Sequence, residues 1–228
     1  MPGSKLDIKS RLDLKKKRIR AFFLSIEAKR KRKEGLDKTA EEIYRDGMIY
    51  VQMRLPVDKI TKEFENELKY KIDHNIIHAS IREANTSDLD SIKNLYNKSW
   101  LTSNTPFRPI TKTSLLQIFA DPDTVFLMGK VYGKDAAFVI LDFEGENKEC
   151  AVIAALAVLP RFQRRGLGTI LGMATWNYLK ENYKHVKELK CEVYKDNIVS
   201  YSFIKWIGFE EYGTKAYKKE DYHIDDNG

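Results

Sequence analysis

Residues 158–168 read Val-Leu-Pro-Arg-Phe-Gln-Arg-Arg-Gly-Leu-Gly. This stretch follows an apolar run, Ala151 to Leu159, and precedes apolar residues at helical spacing, so it predicts a turn from a strand into a helix. Gly166 and Gly168 let the backbone approach an anion closely, and the N-terminus of the new helix presents amide groups with the positive end of the helix dipole. Three arginines in the stretch add positive charge. The sequence therefore predicts a phosphate-binding turn.

The glycine spacing disfavours two other phosphate-binding motifs. A dinucleotide-binding turn needs GxGxxG, and Leu171 stands at the third glycine position here. About sixty residues follow the turn, too few for the rest of a doubly wound sheet. A Walker A motif fails because no Gly-Lys-Ser/Thr follows. A nicotinamide dehydrogenase and a P-loop nucleotidase are therefore disfavoured.

The stretch resembles the acetyl-CoA loop of the GNAT N-acetyltransferase superfamily, (Arg/Gln)-x-x-Gly-x-(Gly/Ala). Gln163, Gly166 and Gly168 match the loop, and residues 156–160 supply the usual lead-in, Leu-x-Val-x-Pro. The loop alone has low specificity, but the lead-in and the following helix make the resemblance strong.

A second block supports the same resemblance. The alternating run around Cys191 predicts a half-buried strand. In the superfamily this strand leads into Asn-x-x-Ala-x-x-x-Tyr and a short helix that ends at Gly-Phe. Asn197, Ser200 in place of alanine, and Gly208-Phe209 match that pattern, but Ile204 stands where the tyrosine is usual. With the opening strand and helix, the resemblance covers about residues 78 to 222.

The resemblance implies an α/β fold, a GNAT-like mixed and mostly antiparallel sheet flanked by helices, over residues 76–222, with a tail at 223–228. It also implies a transferase that moves an acetyl group from acetyl-CoA, its cosubstrate, to a primary amine of a protein, peptide or small molecule by direct transfer in a ternary complex. The residues that it assigns to acetyl-CoA are Leu156, Ala157, Val158, Gln163, Arg164, Arg165, Gly166, Leu167, Gly168, Thr169, Asn197 and Ser200.

The general base is harder to identify from the sequence. Family members often use a glutamate on the fourth strand, and Val152 stands near that position. Glu149 is the nearest carboxylate on this strand and is our predicted base, while Asp142 and Glu144 precede it across a turn.

The acid that protonates the departing thiolate has to be another residue than the usual tyrosine, because Ile204 stands at that position. Tyr201 lies one helical turn earlier and is our predicted acid, and Tyr194 at the preceding strand end is a second candidate. A phenol with a pKa of about 10 can protonate a thiolate. A solvated CoA thiolate can also leave without a side-chain donor.

Positive charge is concentrated at the N-terminus. Residues 1–33 hold thirteen Lys and Arg and three acidic residues, a net charge of +10, so the rest of the chain carries −3 of the total of +7. Apolar spacing predicts helices here, at 39–53 and at 57–72, so residues 1–75 are expected to form a basic helical module.

Three roles for this module stay open: packing on the acetyltransferase domain or on a second copy in a homodimer, contact with nucleic acid or the ribosome, and contact with a membrane surface. The alternative overall function is a catalytically degenerate CoA-binding domain attached to a nucleic-acid- or ribosome-binding arm, because Val152 and Ile204 occupy the usual catalytic positions.

Other features favour a cytoplasmic protein with one main core. The 228 residues are 43% hydrophobic, and no apolar stretch predicts a membrane span or a secretory signal. Two cysteines and four histidines lack metal-ligand spacing, so two buried thiols and no metal site are expected.

The remaining spacing predicts a strand, two helices, three antiparallel strands, a helix, a strand, a helix and a final strand with Tyr212 and Tyr217. Ser87 is predicted to cap the first of these helices together with Asp90. The ranges before the phosphate-binding turn are 76–82, 88–98, 113–119, 124–131, 135–143 and 149–159.

Overall fold

The computed structural model describes residues 47–75, 77–103, 105 and 109–217. These residues form seven strands and five α-helices. The strands are β1 (Met48–Pro56), β2 (Ala79–Glu83), β3 (Thr124–Val131), β4 (Lys134–Glu144), β5 (Cys150–Val158), β6 (Glu188–Tyr194) and β7 (Glu210–Tyr217). The helices are α1 (Lys62–Asp73), α2 (Leu89–Leu101), α3 (Lys112–Phe119), α4 (Leu167–Asn182) and α5 (Ile198–Trp206). From β2 onward the order of elements agrees with the prediction.

All seven strands belong to one sheet, in the order β2-β3-β4-β5-β6-β1-β7. Neighbours are antiparallel except β5 and β6, which are parallel. Helices α2 and α3 pack on one face through residues such as Ile92 and Leu115, and α4 and α5 pack on the other through Leu171 and Ile204. We call these the α2 face and the α4 face. The predicted α/β fold with a mixed, mostly antiparallel sheet is confirmed.

Strand β1 lies inside the sheet, between β6 and β7. Tyr50 is opposite Tyr194 on β6 and opposite Lys215 on β7. The helix predicted over residues 39–53 is therefore wrong for its described part, because residues 48–53 are extended and pair with a strand on each side. Tyr50 and Met53 point to opposite faces and are 2% and 0% exposed, so both faces of β1 are covered.

Helix α1 confirms the third predicted helix, with its bounds shifted from 57–72 to 62–73. It packs on α4, where the carboxylate of Glu65 accepts a hydrogen bond from the Trp176 indole. Strand β1 belongs to the same sheet as the later strands, and α1 packs on the same core. The expected boundary at residue 76 is therefore wrong for these two elements. A separate N-terminal module stays a prediction for residues 1–46, which, like 218–228, lie outside the described residues.

The start of α2 differs from the prediction that Ser87 caps it. Asn85 accepts a hydrogen bond from the Ser87 amide, and Asp88 accepts one from the Asn85 amide at 2.9 Å, which forms a capping box. Asp88 also accepts two hydrogen bonds from Arg82 on β2, both at 2.7 Å. The helix is therefore tied to the neighbouring strand at its first turn.

Cys150 and Cys191 are buried thiols, as expected from their spacing. Within the described ranges no group of three His, Cys, Asp or Glu side chains could hold a metal ion. No helix in this part of the chain is both long and apolar enough to cross a membrane.

Candidate active site

Strands β5 and β6 separate part-way along their length. Their pairing ends at Ile153 opposite Cys191, although both strands continue. The register of β5 against β4 shifts at the same point and leaves Ala154 as an extra, bulged residue, which bends β5 away. We call the resulting cleft the fork; its walls are residues 154–158 of β5 and 192–194 of β6.

Leu156 and Val158 direct their backbone polar groups into the fork. On the other side of β5, the Leu159 amide donates to the Ala136 carbonyl of β4 at 2.9 Å. Successive residues of a strand point their N–H and C=O groups to opposite sides, so Leu156 and Val158 point theirs away from β4 and Ala157 points its toward β4. Of the three predicted backbone contacts, two are thus correctly oriented to pair with an extended ligand in the fork.

The turn at the open end of the fork is held by Gln163. Its side-chain amide donates to the Val158 carbonyl at 2.8 Å, and the Ser99 hydroxyl donates to the same carbonyl at 3.2 Å. Arg164 and Gly166 then adopt positive φ angles of 57° and 78°, which turn the chain sharply into α4. Gln163 therefore braces the turn from within, and the Val158 carbonyl is already occupied.

A Cβ atom on either glycine of the turn would meet a neighbouring side chain. A Cβ atom on Gly166 would lie 1.6 Å from Nδ2 of Asn75, whose Oδ1 accepts a hydrogen bond from the Ile77 amide at 3.1 Å. A Cβ atom on Gly168 would lie 3.2 Å from Cζ of Phe203. The segment that follows α1 is thus pressed against the turn.

These features fit the pyrophosphate of a CoA molecule. The first amide groups of a helix have no hydrogen-bond partner within the helix, so those of α4 can bind an anion. They follow Gly166 directly, where a Cβ atom would take up space in the turn. Arginine side chains at 161, 164 and 165 carry positive charge to the same place. The predicted residues brought together here are Arg164, Arg165, Gly166, Leu167, Gly168 and Thr169.

Asn197 caps α5 and connects it to the loop after α2. Its Oδ1 accepts a hydrogen bond from the Ser200 amide at 3.1 Å, and its Nδ2 donates to the Thr105 hydroxyl at 2.8 Å. The polar groups of Asn197 are thus engaged within the protein, and its predicted contact with CoA, like that of Ser200, stays a prediction.

Tyr201 lies away from the fork. Its ring packs against the core of the α4 face, and its hydroxyl donates to Glu211 on β7 and accepts from Lys205 at 3.4 Å. Strand β7 is two strands from β6, roughly 10 Å at normal strand spacing. This position counts against Tyr201 as the acid for the thiolate. Ile204, at the usual tyrosine position, is buried in the same core.

Glu149 lies at the opposite end of β5 from the turn. Its carboxylate accepts a hydrogen bond from the Asn147 amide at 3.0 Å, and backbone hydrogen bonds, from its own amide and from that of Asn147, lower its pKa. Leu156 lies seven positions further along the chain, which is roughly 23 Å in an extended strand. The geometry therefore does not bring this predicted base to the fork.

A different carboxylate, Glu192, stands at the base of the fork. It is the first β6 residue beyond the last pair with β5, and its side chain points to the α2 face together with Tyr194. The Tyr217 hydroxyl donates to its Oε2 at 2.7 Å, and Gln52 Nε2 donates to its Oε1 at 3.4 Å. The two oxygens are therefore held by side chains of β7 and β1.

Three tyrosine rings pack together on the same face of the sheet as this carboxylate. Tyr50 on β1 packs edge-on against Tyr194 at 5.7 Å and against Tyr217 at 5.6 Å between ring centroids. The sequence indicated Glu192 only as the polar side of an alternating strand. The alternation of Lys190, Glu192 and Tyr194 did place these side chains on one face, but the point where β5 and β6 separate was not visible without the structure.

A model of the family described as "Acetyltransferase (GNAT) family" matches residues 89–209. The chain belongs to the GNAT family of acetyltransferases. Acetyl-CoA is the cosubstrate of this family.

A curated relative, an uncharacterized N-acetyltransferase of Methanocaldococcus jannaschii, is 29% identical over 146 residues. That match covers 60% of this chain and 64% of the relative, so the chain spans less than two thirds of the relative's length.

Solved GNAT structures share the fold. The PaiA N-acetyltransferase of Thermoplasma acidophilum, in complex with coenzyme A, is similar with a TM-score of 0.52 and 19% identity over 61% of this chain and 99% of that one. The ribosomal-protein-S18-alanine N-acetyltransferase of Escherichia coli is similar with a TM-score of 0.50 and 22% identity, over 60% of this chain and 80% of that one.

Proposed function

We propose that this protein is an N-acetyltransferase that transfers the acetyl group of acetyl-CoA directly to a primary amine of a protein, peptide or small molecule. The observation that carries the proposal is the fork itself, which has the turn into α4 at its open end and Glu192 at its base. Family membership supports the same reaction.

Donor binding follows from the backbone. The amide groups from Arg164 to Thr169 hold the pyrophosphate, and the pantetheine arm lies along β5 in place of a neighbouring strand. The Val158 amide binds that arm. The Leu156 amide, closer to the base of the fork, faces the thioester carbonyl and stabilises the negative charge that develops on its oxygen during attack. This role needs no particular side chain at either position.

The acceptor reaches the thioester from the α2 face. An amine is protonated near neutral pH and must lose a proton before it attacks, so a base has to lie on its path. Glu192 is fixed there by Tyr217 and Gln52, and we assign it this role, acting directly or through one water molecule. Its negative charge also attracts the ammonium form of the acceptor.

The departing thiolate needs a proton. Tyr194 follows Glu192 by two residues, points to the same face and is 4% exposed. It replaces Tyr201 as our candidate acid, because Tyr201 bonds to β7. The amine nitrogen forms a bond to the carbonyl carbon, the carbon–sulfur bond breaks, and the sulfur takes a proton from the Tyr194 hydroxyl.

The basic segment 1–33 is proposed to bind nucleic acid or the ribosome. The observation is its net charge of +10, since clustered Lys and Arg release counterions from phosphates on binding. Removal of residues 1–33 is expected to abolish salt-sensitive RNA or DNA binding. Unchanged affinity after this deletion would reject the role.

Two measurements test the proposed activity. Calorimetric titration of the full chain with acetyl-CoA is expected to show one site, and absence of binding would overturn the proposal. A mass-spectrometric screen of peptides, polyamines and amino-acid amines with acetyl-CoA is expected to show an acetylated product. Tight CoA binding without turnover on any amine would favour the alternative of a degenerate CoA-binding domain.

A further inference from the structure

An apolar cavity of about 60 Å³ lies between α1, α4 and the α4 face of the sheet. Its walls include Ile153 and Leu156 from β5, Leu189 from β6, Phe64 from α1, and Gly172 and Met173 from α4. At roughly 10–15 Å³ for each water-sized group, the cavity has room for about four to six such groups.

The cavity meets the fork at its base. Ile153 is the last β5 residue paired with β6, and Leu156 presents its backbone to the fork and its side chain to the cavity. A thioester carbonyl that faces the Leu156 amide would therefore have its acyl chain at the entrance to the cavity.

The space is maintained at a cost to stability. A Cβ atom added to Gly172 would meet no atom within 4 Å, so a larger residue could fill part of the space. A glycine inside a helix and an unfilled apolar cavity are each unfavourable, and both occur at this place. This coincidence indicates a cavity that is filled when a ligand is bound.

The roof of the cavity comes from α1, which lies outside the residues that match the family model. Glu65 on α1 accepts a hydrogen bond from Trp176 and pairs with Lys180 at 2.8 Å, so it fixes α1 onto α4. One wall of the cavity thus comes from a segment that precedes the residues matched by the family model.

We propose that this cavity binds the chain of a short unbranched acyl group, and that the protein accepts butyryl- to hexanoyl-CoA as donors. Hexanoyl has four more carbons than acetyl, which matches the available space. The inference rests on the proposed function. The reaction is unchanged: the amine nitrogen bonds to the acyl carbon, the carbon–sulfur bond breaks, and the amine proton ends on the CoA sulfur.

The test is calorimetric titration of the full chain with acetyl-, butyryl-, hexanoyl- and decanoyl-CoA. Burial of four methylene groups favours binding, while the ordered chain loses rotational freedom, so we expect hexanoyl-CoA to bind at least tenfold more tightly than acetyl-CoA. Decanoyl-CoA exceeds the cavity and should bind no more tightly than hexanoyl-CoA.

Gly172→Leu fills the cavity. It is expected to remove the hexanoyl advantage and to change acetyl-CoA affinity by less than twofold. Gly172→Ala adds one carbon and should keep part of the advantage. Asn177→Leu is the matched control, because it adds the same side chain on the exposed side of α4 and should leave the whole series unchanged.

The results separate this inference from the proposed function. Binding of acetyl-CoA with weaker binding of hexanoyl-CoA would overturn the acyl cavity alone. An affinity that rises steadily to decanoyl-CoA, or a hexanoyl advantage that survives in Gly172→Leu, would also overturn it, because both results mean that the chain binds elsewhere. Absence of binding across the whole series, acetyl-CoA included, would instead overturn the proposed function.

Discussion

The side-chain amide of Asn75 lies against Gly166, so that a Cβ atom on the glycine would overlap it at 1.6 Å. Gly166 also has a φ of 78°, which disfavours any other residue. We expect Gly166→Ala to lower the free energy of unfolding by about 1–3 kcal/mol and to weaken CoA binding at least tenfold, because the turn must open. Urea denaturation and calorimetry measure the two effects.

Two variants control that experiment. Gly172→Ala changes a glycine of α4 that has open space around it, and it should raise stability by about 0.5–1 kcal/mol. Asn75→Ala removes the overlapping amide, so the double variant should recover part of the loss from Gly166→Ala. Wild-type CoA affinity in Gly166→Ala would show that the turn does not hold the pyrophosphate.

Glu192→Gln is expected to lower kcat by about 10²–10⁴ and to leave the affinity for acetyl-CoA unchanged, because it removes the base and keeps the shape. The acidic limb of the pH–rate profile should disappear with it. Steady-state kinetics and calorimetry on the same preparation separate the two steps.

The matched control is Glu188→Gln on the same strand, before the fork opens, where the carboxylate pairs with Lys190 at 2.9 Å. It should change kcat by less than threefold. Equal losses in both variants would mean that Glu192 contributes only to folding of β6.

Tyr194→Phe and Tyr201→Phe distinguish the two phenols. Only Tyr194 lies on the wall of the fork, so its loss should lower kcat by roughly tenfold or more and change the basic limb of the pH–rate profile. Tyr201→Phe should leave kcat within twofold, since its hydroxyl bonds to Glu211 on β7. A large loss in Tyr201→Phe alone would restore it as the acid.

Acid should weaken the contact between β2 and α2. Hydrogen bonds from Arg82 lower the pKa of Asp88 from 3.8 to about 2. Because the folded pKa lies below the unfolded one, this contribution is complete above about pH 4 and is lost as the pH falls toward 2. Asp88→Asn should therefore cost about 1–2 kcal/mol at pH 7, and the difference from wild type should shrink below pH 4.

Urea denaturation between pH 2 and pH 7 measures this difference. Asp90→Asn, two residues along α2, removes an exposed carboxylate that pairs with Lys93 and Lys112, and it should have a smaller effect. A difference between Asp88→Asn and wild type that does not vary with pH would reject the assignment.

Local patterns predicted the elements after residue 76, because turn glycines such as Gly133 and Gly145 and alternating apolar residues reflect local backbone geometry. They failed at β1. Its apolar residues also fit helical spacing, and the position between β6 and β7 that makes it a strand depends on residues far along the chain.

The donor turn was predictable for a similar reason, since glycines and arginines within six residues determine it. The catalytic groups were not. Glu149 is close in sequence to the expected position but lies at the far end of β5. Glu192 enters the site only because β5 and β6 separate after Ile153, which is a property of strand pairing.

Strand β1 pairs only with strands that are synthesised later. Gln52 lies opposite Glu192, 140 positions along the chain. At ribosomal rates, β1 emerges roughly 7–28 s before its partners and exposes unpaired backbone groups and apolar side chains during that interval. The net charge of +10 in residues 1–33 precedes it and opposes association between nascent chains, because like charges repel. We therefore expect the amino-terminal charge to keep nascent chains apart until the partners of β1 have been synthesised.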